Sequence, residues 1–186
     1  MPRTSQLRPQ ILETALAILR EEGLEGLHAR SIAARLNINH ASVHYYYKSR
    51  ADLLAATASQ AAATWSEALS KSQSAKDGES LRSHLGDFAD LMESGHQRVL
   101  IALLAAAPSN PGVAEALQKF TTDEAARLNG LVDKTRSAEV RVRKGPLRQG
   151  SYLLGALIGN EFLRLIDGQN EVFQTWPGGF SDALID

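Results

Sequence analysis

Apolar positions recur along this chain at spacings of three and four, the period of helices that bury one face. Ile11, Leu12, Ala15, Leu16, Ile18 and Leu19 form the first such stripe. Pro9 before it suits a first helical turn, and Gly23 after it suits the position just past a helix end. A first helix is predicted over about 9–22. A short run follows at about 31–36, with Ile32, Ala33 and Leu36 on one side. Asn37 ends it, asparagine being one of the few residues other than glycine that accept the left-handed conformation. Asn39 can cap a third helix over about 40–46. Ser49, with Asp52 three residues on, reads as a capping box opening a fourth helix that runs to about residue 73. Further helices are expected near 79–94, 96–107, 111–135 and 147–167, punctuated by Pro108, Pro111 and Pro146. "SKSQSAKDG" (70–78) reads as a linker, "SAEVRVRKG" (137–145) as a basic loop, and "WPGGF" (176–180) breaks any helix in the tail. The pattern therefore predicts an all-α protein.

The second and third helices, joined by about four residues, make a helix-turn-helix. Ala33 has to be small because the two helices cross there, and Ile38 and Val43 plug the crossing. On a helix begun at residue 40, Val43 and Tyr47 share a face. They should point inward, leaving His40, Ala41, Ser42, His44 and Tyr45 outward and Tyr46 between, its hydroxyl within reach of a phosphate. In this motif the second helix enters the major groove of DNA.

Charge agrees with that reading. The chain's formal net charge is −1, but residues 1–54 hold seven Lys/Arg against five Asp/Glu, a net +2, which leaves −3 for the remainder. A mildly basic end on an acidic body suits a small anion-binding module. There are no cysteines, so disulfides, cysteine-ligated metals and thiol catalysis are excluded. The longest apolar run, "VLIALLAAA" (99–107), is about half of what a membrane span needs. No signal-peptide pattern precedes the first helix, and a cytoplasmic location is expected.

The segment "HARSIAARLNINHASVHYYYKSRADLL" (28–54) resembles the DNA-binding domain of the tetracycline-repressor (TetR) family of bacterial regulators. The resemblance is carried by Arg30, Ile32, Ala33, Ile38, Ser42, Val43, Tyr46, Tyr47, Ser49, Leu53 and Leu54. The family's usual turn glycine and serine are replaced by Asn37 and Asn39, its contact tyrosine by His44, its helix-opening lysine by Arg50, and its capping Thr/Ser before the second helix by His28, a poor cap. The resemblance implies a three-helix DNA-binding domain over 1–54 and a helical effector-binding and dimerisation domain over 55–186. It implies a homodimer on a double-stranded, palindromic operator, most often a repressor, released by a small, largely apolar effector that shifts the spacing of the two recognition helices. Arg50, Ser42, Tyr46 and Lys48 are the implied phosphate contacts, and His40, His44 and Tyr45 the base-edge candidates, with Arg30 and Ala41 also among the DNA-binding residues and Arg3 and Arg8 in an N-terminal arm. Trp65, Phe88, Met92, Leu103, Phe120 and Tyr152 are the candidates to line an effector pocket. Leu153, Gly155, Leu157, Ile158, Gly159 and Leu165 are the candidates for the dimer face, because small residues permit close helix approach.

Two histidine patterns invite a metal reading. His40 and His44 have the i, i+4 spacing of a helical metal pair, but lack a third ligand nearby and fit an exposed, groove-facing pair. His84 with Asp87 and Asp90 fits a solvated or pocket-lining face. No cofactor or metal is expected. Two other classes are considered: a regulator of the same fold controlled by a protein partner rather than a ligand, and an enzyme with an appended helix-turn-helix, against which the absence of a nucleophile or metal constellation counts.

Overall fold

A computed structural model describes residues 4–70, 77–137 and 150–166, with side chains for 6–70, 81–134 and 150–160. Eight α-helices are described: α1 (Thr4–Gly26), α2 (Ala29–Leu36), α3 (His40–Tyr46), α4 (Arg50–Ser70), α5 (Asp77–Leu91), α6 (Gln97–Ala106), α7 (Pro111–Ser137) and α8 (Gly150–Ile166). A π-helical turn over Met92–His96 separates α5 from α6, broken at Gly95, whose φ of 93° is the left-handed conformation glycine takes at least cost. Arg3, the basic loop at 137–145, Pro146, the tail beyond 168 and most of the 70–78 linker lie outside the described residues.

The chain divides into two compact units. The first comprises Met1–Thr64 and Arg98–Gln118, the second Trp65–Gln97 and Lys119–Asp186. The first unit therefore extends beyond residue 54 and draws in α6 and the start of α7.

In the first unit, α1 buries Ile11, Ala15, Ile18 and Leu19 completely, the stripe that the sequence spacing predicts. The helix begins earlier than expected. Pro9 lies inside it, so Arg8 is on a helix and not in an extended arm. Gly23 interrupts α1 with a φ of 71°. α2 packs on both α1 and α3. In the same unit Asn110 caps α7, its side-chain oxygen accepting from the backbone N–H groups of Gly112 (3.1 Å) and Val113 (3.3 Å). Its amide also donates to the carbonyl of Ala51 in α4 at 3.1 Å. At Gly112 a Cβ would come within 2.7 Å of the Ala55 Cβ. Only a residue without a side chain lets α7 begin this close to α4.

In the second unit Trp65, Phe88, Met92, Phe120, Leu128, Leu153 and Leu157 are buried. Trp65 and Phe120 meet edge to face, ring centroids 5.3 Å apart, and the Trp65 indole donates to His96 Nδ1 at 3.1 Å. His84 is fully buried and hydrogen-bonds Glu124 of α7, itself 2 % exposed. The expectation of a solvated face at His84 is thus overturned. A partner on another helix satisfies the ring, and Asp90 stays at the surface. α8 starts against α7: a Cβ on Gly150 would sit 2.0 Å from the Ala125 carbonyl oxygen, and the Gly150 N–H donates to Asn129 Oδ1 at 2.6 Å.

Candidate nucleic-acid interface

Local chemistry sets the angle of the helix-turn-helix. Asn37 sits at φ 51°, ψ 48°, the left-handed conformation expected of it, and its N–H bonds back to α2 carbonyls. The Ile38 N–H donates to the Ala33 carbonyl at 3.0 Å. The Asn39 side chain then accepts from the Ala41 N–H at 2.9 Å and caps α3. Two asparagines do the work of the usual glycine and serine: one tolerates the turn, the other supplies an acceptor for an orphan N–H. His28 precedes α2 without making a side-chain cap bond. Ser49 and Asp52 form the expected reciprocal box, Ser49 N–H to Asp52 Oδ2 and Asp52 N–H to Ser49 Oγ, both 3.0 Å.

α3 is thereby held with Val43 and Tyr47 inward, at 1 % and 4 % exposed. His40, Ala41, His44 and Tyr45 face solvent, and Ser42 and Tyr46 are half-buried. His40 and His44 stand edge to face with centroids 6.2 Å apart. Tyr45 does the same with Tyr46 at 5.2 Å, and the Lys48 ammonium lies 5.7 Å over the Tyr45 ring. Ring contacts of this kind reduce the number of orientations these side chains sample before binding.

The four Lys/Arg of residues 28–50 divide into two groups. Arg30 and Lys48 are exposed. Arg35 is tied to Glu21 at 2.7 Å and to Glu22, hydrogen bonds that hold its guanidinium pKa above the ordinary value. Arg50, expected to bind phosphate, instead folds back. Its Nε donates to the Leu27 carbonyl at 2.9 Å and an Nη to the Leu24 carbonyl. Arg50 thus adds donors to two carbonyls at the α1–α2 junction, of which that of Leu24 also accepts from the Leu27 N–H at 3.2 Å. A pocket of about 250 Å³ opens beside it, lined by His28, Arg30, His44, Tyr47, Ser49 and Arg50 among others. The Tyr47 hydroxyl is buried and has no hydrogen-bond partner.

Residues 11–57 match the family model described as bacterial regulatory proteins, tetR family. Residues 11–57 thus carry a helix-turn-helix segment of the tetR-family type. No curated protein matches the sequence, but solved structures share the fold across nearly the whole chain. A TetR-family transcriptional regulator from Agrobacterium tumefaciens is 16% identical, with a TM-score of 0.84 over 99% of this chain and 100% of its own. A TetR transcription regulator from Haloarcula marismortui is 18% identical, with a TM-score of 0.83 over 98% and 100%. A regulator from Saccharomonospora viridis, crystallised with choline, is 16% identical, with a TM-score of 0.80 over 98% and 99%. The family match covers the helix-turn-helix segment, and the likeness beyond it is one of fold.

The remaining candidate residues fall unevenly. Trp65, Phe88, Met92 and Phe120 gather in the interior of the second unit. Leu103 belongs to the first unit. Tyr152 is 55% exposed, which removes it from a buried pocket lining: it sits on the opposite face of α8 from Leu153 and Leu157. Those two leucines are themselves 0 % and 1 % exposed within a single chain. They pack into the core of the chain and leave almost no surface exposed. Gly155 and Gly159 are exposed, with open space where a side chain would stand, and Ile158 is half-buried. Together with Thr121, Thr122, Ala125, Ala126 and Asn129 of α7, Ser151, Leu154, Gly155 and Ile158 line an open groove of about 520 Å³. The side chain of Leu165 is outside the described residues.

Proposed function

We propose that this protein binds a two-fold-symmetric operator as a homodimer, acting as a repressor released by a small, largely apolar effector. The observation that carries the DNA half is α3. Its inward pair, Val43 and Tyr47, fixes its rotation, and its outward face offers His40, Ala41, His44 and Tyr45. No arginine lies on α3, so strong bidentate pairing to guanine is not available from that helix. Specificity then rests on imidazole and phenol contacts, on DNA shape, and on half-site spacing near one helical turn, about 34–36 Å or a multiple.

The dimer half is supported by the exposed face of α8, where Tyr152, Gly155 and Gly159 recur at helical spacing beside the groove against α7. The effector half is supported by the structurally similar regulator from S. viridis, which was crystallised with a small organic molecule, choline. α4 is one helix from Arg50 to Ser70, so repacking at Trp65 has a covalent route to the start of the DNA-binding segment. An effector does this only by preferring one of two states.

Selection from a random duplex pool tests the DNA reading. The recovered sites should have two-fold symmetry, and His44→Ala should lose about 1–3 kcal/mol of preference at one or two base positions per half-site. Unenriched pools, or an identical site from the variant, would remove α3 from the role of reader. A second reading, a regulator governed by a protein partner, is favoured by the tight burial of Trp65, Phe88 and Phe120. Thermal shifts against a small-molecule library separate the two, because a ligand of the folded state raises the melting temperature.

A further inference from the structure

The chain passes between its two units at three places: after Thr64 in α4, after Gln97 at the start of α6, and after Gln118 in α7. On the second unit's side, each crossing lies within two residues of a different member of one ring cluster, Trp65, His96 and Phe120. Trp65 is fully buried. Its ring meets Phe120 edge to face at 5.3 Å and His96 edge to face at 6.3 Å, and its indole N–H donates to His96 Nδ1 at 3.1 Å. His96 is the last residue of the π-helical turn and directly follows Gly95. Its position is therefore set by a backbone break that glycine takes at little cost. The His96 residue is half-buried, within reach of protons from solvent.

An indole has only a donor to offer. His96 can accept its N–H only through an unprotonated Nδ1, that is, as the neutral ring. A second proton turns Nδ1 into a donor and sets two N–H groups against each other. We propose that the Trp65–His96 hydrogen bond is a proton-operated latch: closed while His96 is neutral and opened when it is protonated, so that acidification loosens α4 against the π-helical turn and weakens operator binding. The last step rests on the DNA-binding reading and on α4 running unbroken from Trp65 back to Arg50. The proton acts as an effector because it prefers the open state. Bond and proton compete for one lone pair, so the contact is present at high pH and lost as pH falls. Histidine is the side chain whose ordinary charge change falls between pH 5 and 8. The charged groups on the elements that meet here are Glu67 on α4, Asp87 and Asp90 on α5, Glu93 in the turn, Arg98 on α6, and Lys119, Asp123 and Glu124 on α7. Lys119 pairs with Asp123, and Glu124 with His84. His84, the unit's other histidine, is fully buried on that partner, which leaves His96 as the imidazole open to solvent.

The test reads the latch and its consequence separately, on the full chain. The only other tryptophan is Trp176, so a Trp176→Phe background leaves one indole N–H resonance in a nitrogen-15 NMR spectrum. Between pH 8 and pH 5.5 that resonance should move with the same midpoint as the ring nitrogens of His96. His96→Gln keeps an acceptor that never titrates, and its indole resonance should stay still. An indole that does not move in the chain with His96 intact, or that moves equally in His96→Gln, overturns the latch. Fluorescence anisotropy with the selected duplex at fixed ionic strength then compares His96→Gln with wild type at each pH, so that the exposed histidines of the DNA-binding segment cancel. The two should bind alike at pH 8, and wild type should be about tenfold weaker at pH 5.5, the effect of one unit of coupling. His96→Leu, which offers no acceptor, should already bind about tenfold more weakly than wild type at pH 8. A ratio that stays flat while the indole titrates, or a folded His96→Leu chain that binds like wild type, overturns the link to operator binding. No duplex binding by any chain at any pH would instead bring down the DNA-binding reading, and the indole resonance would still decide the latch.

Discussion

Arg50 shows how one residue can carry two demands. Its position at the start of α4 makes it an obvious phosphate ligand, but its guanidinium is committed to the carbonyls of Leu24 and Leu27. Arg50→Ala should therefore act first on stability. The loss of two charge-assisted hydrogen bonds, at a partly exposed site, is worth about 1–2 kcal/mol, read as a lower denaturation midpoint. Arg50→Lys should not restore it, because an ammonium cannot reach two carbonyls with a planar fork. If the variant is as stable as wild type but has a shallower salt dependence, the residue is a phosphate contact after all. The sequence could not have revealed this. The carbonyls that capture Arg50 lie 23 and 26 residues away, and only folding brings them near. The tyrosines at 45–47 were easier to sort, since helical period alone separates Tyr47 from Tyr45.

At the scale of elements, helix ends carry the local information. Asn37, Asn39 and the Ser49–Asp52 box do what their residue types predict, because each bond spans four residues or fewer. The π-helical turn over Met92–His96 was not predicted, although Gly95 marks the break. Asn110 is more consequential. It caps α7 and also ties that cap to the Ala51 carbonyl of α4. Asn110→Ala should cost about 1–2 kcal/mol from the cap, plus a lost bond to α4. Asn110→Ser or Asp should recover the cap but not the tie, since neither can place an amide on Ala51. Thermal melts of the three variants separate the two contributions. A serine variant as stable as wild type would mean that the tie to α4 contributes nothing.

For the whole molecule the structure reassigns α8. Spacing made Leu153 and Leu157 look like an apolar interface. Burial within one chain makes them core, and the surface is left to Tyr152, Gly155 and Gly159. A helix apolar nearly all round offers no period that distinguishes the two faces. Ile158→Arg, at the mouth of the groove between α7 and α8, should therefore give folded monomers by sedimentation. Leu157→Arg should unfold the second unit instead, an unpaired buried charge costing about 3 kcal/mol or more. A dimer that survives Ile158→Arg with unchanged dissociation would move the interface off this groove.

The sequence by itself determined the all-helical class, the positions of α2–α4 to within a few residues, the turn chemistry of the helix-turn-helix and the resemblance of that segment to the tetR-family domain. Each of these depends on side chains close in sequence, where composition and period act directly. Only the tertiary structure decided that α6 and the start of α7 join the first unit, that His84 is satisfied by Glu124, that Arg50 is spent on α1, and that His28 shares a pocket with His44. Those pairings join residues from about 16 to 40 positions apart, and their partners are chosen by the packing of whole helices, a choice that no local pattern records.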